Sequence, residues 1–186
     1  MPARKLIAIS LLVTGQFVIG QAAWAQTPGT APATAPATST AGIKATAADK
    51  SFIKDAIQGD MAEVKVGQLA QQKGQGDKVK QFGKMLEDDH GKNLTEAQAL
   101  AGQIGVTPPT DVSATQKAAY DKLSKMSGAS FDTAFGKEMV DDHKKDIAKY
   151  QKAAKTSGAT AGFAQNALPT LQNHLKMAQS ISGAPK

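Results

Sequence analysis

The chain has 186 residues, a net charge of +6 and no cysteine. The missing cysteine excludes disulfides, thiolate metal sites and anchoring through a lipidated cysteine, so the folded part must be stable through its core alone. Nor is the charge a nucleic-acid signature: Arg4 is the only arginine and Trp24 the only tryptophan, whereas reading phosphates and bases favours arginine forks and aromatic platforms.

Residues 1–25 read as an export signal. Arg4 and Lys5 precede a mostly apolar run from Leu6 to Ile19, and Ala23-Trp24-Ala25 forms a small-x-small cleavage site. The run falls short of the roughly 20 apolar residues of a membrane-spanning helix. Cleavage after Ala25 leaves a chain without a transmembrane segment, expected in the periplasm or secreted. Retention of the run as an anchor is the alternative. Residues 26–48 are rich in Ala, Pro and Thr, with Ile43 their only large apolar side chain. Such a segment cannot bury enough to order itself and is expected to be a flexible linker.

From Asp49 to about residue 183 the apolar residues recur at three-and-four spacing, the period of a helix. The first helix carries Phe52, Ile53, Ala56, Ile57, Gly59, Glu63, Val66 and Ala70. Asp49 or Ser51 is its expected cap, and Gly74 and Gly76 end it. The second opens at Asp77 and carries Val79, Phe82, Leu86, His90, Asn93, Ala97, Ala101 and Ile104, until the segment from Gly105 to Asp111, with Pro108 and Pro109, stops it. Ser113 caps a short helix that Gly128 closes. The third long helix is expected from Ser130, with Phe131, Phe135, Met139, His143, Ile147 and Tyr150. The last runs from about Thr160 to Ser182 through Ala164, Ala167, Leu171, His174, Ala178 and Ile181, and Pro169 is expected to kink or reset it.

Short links make antiparallel hairpins of the first and second, and of the third and fourth, long helices. The stretch between the hairpins is long enough to run back along the bundle. Two hairpins with such a crossover define an all-α, ferritin-like four-helix bundle, with the short helix in the crossover.

The segment FGKMLEDDHGK, from Phe82, returns as FGKEMVDDHKK, from Phe135, with seven of eleven positions identical. It places two of the three histidines in one local frame. Equivalent helices of two duplicated hairpins would account for it. His90, His143 and His174, with Glu63, all fall near mid-helix on or beside the apolar stripe, so four helices bring them to one level. Glu87, three residues before His90, completes a Glu-x-x-His pair of the kind that di-iron bundles use. Val140 and Leu171 occupy the matching places before the other histidines, so the six-ligand di-iron set is absent.

Three imidazoles and a carboxylate suit one Zn(II) or Cu(II) ion, and Met139 and Met177, beside His143 and His174, would add thioethers suited to Cu(I). Metal binding would fade as pH falls through the ordinary histidine value near 6.5. Asp88, Asp89, Asp141 and Asp142 are expected to be solvated or to support the ligands from outside. The competing reading is a purely structural cluster, each histidine paired to a nearby carboxylate or carbonyl, in a structural or stress-related envelope protein with no ligand. Enzyme chemistry would need a substrate pocket, which the sequence does not indicate, and protein partners leave no trace in it.

The mid-helix Asp89-His90, the second helix-borne His143 and the run Leu168-Pro169-Thr170-Leu171-Gln172-Asn173-His174-Leu175 resemble a family of exported bacterial proteins known as a domain of unknown function. Its members are often labelled outer membrane proteins. The resemblance spans about Ser51 to Ile181. It implies a ferritin-like helical fold and an exported location, and brings no activity.

Overall fold

A computed structural model describes residues 44–183, which belong to the compact unit Ser39–Lys186. The expected export signal and residues 26–43 of the expected linker lie outside them, while its end is corrected: Thr46 caps the first helix, and residues 47 and 48 are helical. Five helices make up the described chain: α1 (Ala47–Lys73), α2 (Asp77–Gln103), α3 (Ala114–Ser124), α4 (Gly128–Ala154) and α5 (Ala161–Ser182). The described residues contain no strand and no helix long and apolar enough to cross a membrane.

Local chemistry sets the helix ends. Thr46, not Asp49, caps α1. Its hydroxyl accepts from Asp49 N at 3.1 Å, and the Asp49 carboxylate accepts from Thr46 N at 2.9 Å. This reciprocal pair satisfies two amides that a helix start leaves open. Helix α1 therefore begins two residues before the expected cap. Ser113 and Gln116 form the same device on α3. Gly128, expected to close α3, instead opens α4 with φ +61°, a conformation that costs glycine nothing. Helix α5 runs unbroken through Pro169. The ring sits on an exposed face, where the lost N–H···O bond at Gln165 is open to water.

The long helices form a bundle. Helix α2 packs on α1 and α5, and α4 packs on α5 and α1, while α3 lies against α1 and α4. Contacts run in opposite directions along every neighbouring pair. On α1 and α2, Gln68 meets Glu87, and Asp60 meets Asn93. On α1 and α4, Glu63 reaches His143, and Phe52 reaches Tyr150. Neighbours are antiparallel, so α2 and α4 run parallel on opposite sides of the core.

That placement corrects the duplication idea. The repeated segments occupy the second helix of one hairpin and the first of the other, which are not equivalent in chain order. They face each other in parallel instead. The Phe82 and Phe135 rings meet at 5.8 Å and the His90 and His143 rings at 5.7 Å. The glycine after each phenylalanine serves its hairpin. A Cβ on Gly83 would stand 2.6 Å from the Gly67 carbonyl of α1, and one on Gly136 would stand 2.9 Å from Ile181 of α5.

The core divides into an end built on Phe82, Leu86, Phe131, Phe135 and Met139, and an opposite end built on Ile53, Ile57, Ala97 and Tyr150. At that second end the buried Asp49 carboxylate also accepts from Thr160 N at 3.2 Å and Thr160 Oγ1 at 2.8 Å, so it ties the start of α5 to the start of α1. Burial pushes Asp49 up, but the bonds from Thr46 and Thr160 outweigh it and hold the pKa at about 2. A depressed carboxylate contributes stability above its unfolded value of 3.8 and loses it as pH falls through 2. Asp49→Ala is expected to cost about 2–3 kcal/mol at neutral pH, because a charged acceptor leaves two helix starts at once. Urea midpoints measured from pH 7 down to 2 check this: the gap between wild type and variant should close at the acid end, and a pH-independent gap would refute the assignment.

Candidate metal centre

Between the two core ends lies a polar layer. His90 on α2, His143 on α4 and His174 on α5 are 3%, 0% and 0% exposed, and Asp60 and Glu63 on α1 are 2% and 5% exposed. The histidines sit there because each holds a position on its helix's apolar stripe: eight residues after a core phenylalanine for His90 and His143, and three after Leu171 for His174. Ring centroids are 5.7, 5.2 and 5.3 Å apart, and one ring nitrogen of each lies within 4.8 Å of one on each of the others. Phe82 closes one side, 5.9 Å from the His174 ring and 6.4 Å from that of His143.

Each imidazole has one nitrogen engaged by an oxygen outside the triad. His90 Nδ1 donates to Asp60 Oδ1 at 2.9 Å and lies 3.0 Å from Glu63 Oε2. His143 Nδ1 donates to the Met139 carbonyl at 2.9 Å, and His174 Nε2 donates to Asp89 Oδ2 at 3.0 Å. Such partners fix a ring's tautomer. They leave His90 Nε2, His143 Nε2 and His174 Nδ1 for the interior. His90 Nε2 and His174 Nδ1 are 3.3 Å apart. Two ligands about 2.0–2.1 Å from a tetrahedral zinc would be separated by about the same distance. His143 Nε2 is buried with no hydrogen-bond partner, as is Glu63 Oε1.

The electrostatics of the layer favour a protonated His90. Burial alone would lower His90, but Glu63 and Asp60 beside it prevail and hold its pKa at about 10. Burial, with His90 and His174 nearby, pushes His143 down to about 3, and burial and His90 also lower His174. Burial raises Glu63 to about 7 against the pull of His90, and raises Asp60 against His90 and Asn93.

Of the residues singled out in the sequence, the three histidines meet. Glu63 lies behind the rings, against His90 Nδ1 and 3.6 Å from His143 Nδ1, and not among the inward nitrogens. Glu87 does not reach the layer. It turns to the outer seam of α1 and α2, accepting from Gln71 at 2.8 Å and Gln68 at 2.9 Å. Met139 and Met177 pack with the phenylalanines, and Met139 supplies its carbonyl to His143. Asp89 touches His174, whereas Asp142, its counterpart in the repeat, pairs with exposed Lys145 at 3.4 Å. Asp60 escaped the sequence reading, although it stands four residues after Ala56 and three before Glu63, squarely on the buried face. Asn93 donates to both its oxygens, at 3.0 and 2.9 Å, and lies 3.3 Å from the Tyr150 hydroxyl.

Fold and site together define a helical-bundle protein with a buried imidazole–carboxylate layer. The chain belongs to the family described as Domain of unknown function (DUF4142), whose model matches residues 31–181. Among solved structures it is similar to the crystal structure of a DUF305 fragment from Deinococcus radiodurans. That likeness has a TM-score of 0.67 and 14% identity over 76% of this chain and 99% of the other, and bears on the fold alone. No curated protein matches.

Proposed function

We propose that this is an exported cell-envelope protein, built as a ferritin-like four-helix bundle with α3 as its crossover helix, that binds one divalent transition-metal ion, Zn(II) or Cu(II), at His90, His143 and His174. One observation carries the metal reading: three buried imidazoles each have the outer nitrogen tied to an oxygen, and the inner nitrogen of His143 has no partner at all. Burying an unsatisfied nitrogen costs about 1–3 kcal/mol, a cost that a cation removes. Three nitrogen donors with a fourth position open suit Zn(II) or Cu(II). Asp60, Glu63 and Asp89 would supply the negative charge behind the ligands. The antiparallel ring of long helices supports the ferritin-like description. Export rests on the Arg4-Lys5, apolar run and Ala-x-Ala pattern, and the processed N-terminus, read by mass spectrometry, tests it.

One observation favours a second reading. With His90 held protonated to about pH 10, its Nε2–H can donate to His174 Nδ1 at 3.3 Å, and the layer becomes a structural hydrogen-bond network with no ion. The two readings part in a titration. If metal binds at the triad, it must displace the His90 proton. Binding near pH 8 should release about one proton per ion, and affinity should rise about tenfold per pH unit from 7 to 9 rather than level off above 6.5. Calorimetry of Zn(II) in buffers of different ionisation enthalpy, on protein without a polyhistidine tag, measures both. Absence of binding, with no metal in the purified protein by elemental analysis, favours the structural network.

A further inference from the structure

Resting on the metal reading, we propose that the ion reaches and leaves the imidazoles through the cleft between α2 and α5, with Asp89 as the carboxylate that takes it from solvent. The site then exchanges its ion instead of keeping it for the lifetime of the fold.

The polar layer is unequally sealed. On the α1 and α4 side, the void beside Asp60, Glu63, His90 and Tyr150 also touches the layer but is only about 10 Å³, room for one water at most. On the α2 and α5 side an open cleft of about 290 Å³ reaches His90. Its polar walls are Asp89, Lys92, Asn93 and Glu96 from α2, and Asn166 and Thr170 from α5. All but Lys92 offer oxygens that a partly hydrated divalent cation can touch in passing.

Asp89 stands where solvent and triad meet. Its side chain is 34% exposed, yet it accepts from Nε2 of His174, which is fully buried. The other two carboxylates of the layer are sealed, with side chains 2% and 7% exposed. Lys92 approaches Asp89 only to 3.9 Å and is itself 76% exposed, so it can swing away from an arriving cation. Pro169, between Asn166 and Thr170 of the cleft's α5 wall and five before His174, removes one backbone bond from that turn. A small movement of that turn, carrying His174 off Asp89, would open the triad to the cleft.

Stopped-flow uptake of Zn(II), and its release to a chromophoric chelator, test this on the untagged mature chain. Asp89→Asn keeps an acceptor for His174 but loses the charge. Its uptake rate is expected to fall about threefold to tenfold at low salt, with the gap closing at high salt. Thr170→Trp, at an exposed rim position, should slow uptake and release alike and leave Kd unchanged. Asp142→Asn, away from the cleft, should match wild type. The route is overturned if Asp89→Asn and Thr170→Trp both exchange at wild-type rates, or if Asp89→Asn weakens binding only through faster release. A wild type that takes up no Zn(II) overturns the metal reading itself.

Discussion

His143→Ala is expected to weaken Zn(II) or Cu(II) binding by at least about 100-fold, more than a change behind a ligand would, which typically costs 10- to 100-fold. The ring is fully buried, lies within 4.8 Å of both other histidines, and presents a nitrogen with no competing partner. Its low pKa, about 3, keeps that nitrogen free of a proton throughout the physiological range. Truncation also opens a cavity, so lost stability alone proves nothing. The useful readout is the difference between apo and metal-loaded protein. Wild type should gain thermal stability on adding Zn(II), by about 2.7 kcal/mol at a hundredfold excess over Kd. His143→Ala, His90→Ala and His174→Ala should gain nothing. Equal gains in all three variants would refute the site.

The second large effect concerns packing. Gly83→Ala is expected to destabilise the protein by about 2–4 kcal/mol, even though alanine is worth about 1 kcal/mol more than glycine inside a helix. The added methyl would stand 2.6 Å from the Gly67 carbonyl, 2.9 Å from Ala70 Cβ and 3.2 Å from Gln71 N. None of these atoms ends a flexible side chain, so α1 and α2 must move apart. Gly91→Ala in the same helix meets nothing within 4 Å and should instead stabilise by about 0.5–1 kcal/mol. Opposite signs from one substitution on one helix are the signature, and denaturant midpoints read them. Two changes of the same sign would mean that the hairpin is not held by this close approach.

Helix number, order and the level of the histidines were legible because they follow from the 3.6-residue period and from punctuation by glycine, proline and capping residues. Partners across helices were not. Gly59 is on the three-and-four stripe expected for α1 and Asp60, its neighbour, is not, so the spacing chosen there steps past the buried carboxylate. Yet Ile53, Ala56, Ile57, Asp60 and Glu63 lie on one buried face. Glu87 fits Glu-x-x-His in spacing. Three residues before a histidine at the centre of the stripe, however, the side chain falls on the flank, where Gln68 and Gln71 hold it. Asp89 and Asp142 are equivalent in the repeated segment, and only their surroundings separate them: α5 passes beside one, and water and Lys145 beside the other. The cap of α1 lies three residues before Asp49, the nearer of the two expected caps, because Asp49 is a good cap in isolation, while Thr46 and Asp49 together are better.

The polar layer lies near the middle of every long helix, more than two turns from each end. There the backbone dipoles are matched on both sides, and the partial charges of the helix termini, felt within about one turn, have died away. In this antiparallel ring, the axial fields of neighbours also oppose one another. A cation at mid-height is therefore neither attracted nor repelled by the scaffold, and its compensation falls wholly on side chains. Those side chains are Asp60, Glu63 and Asp89, on two helices and at different depths. The bundle's architecture and the charge of its centre are thus set by separate residues, and the charge can be changed by substitution there without remaking the helix packing.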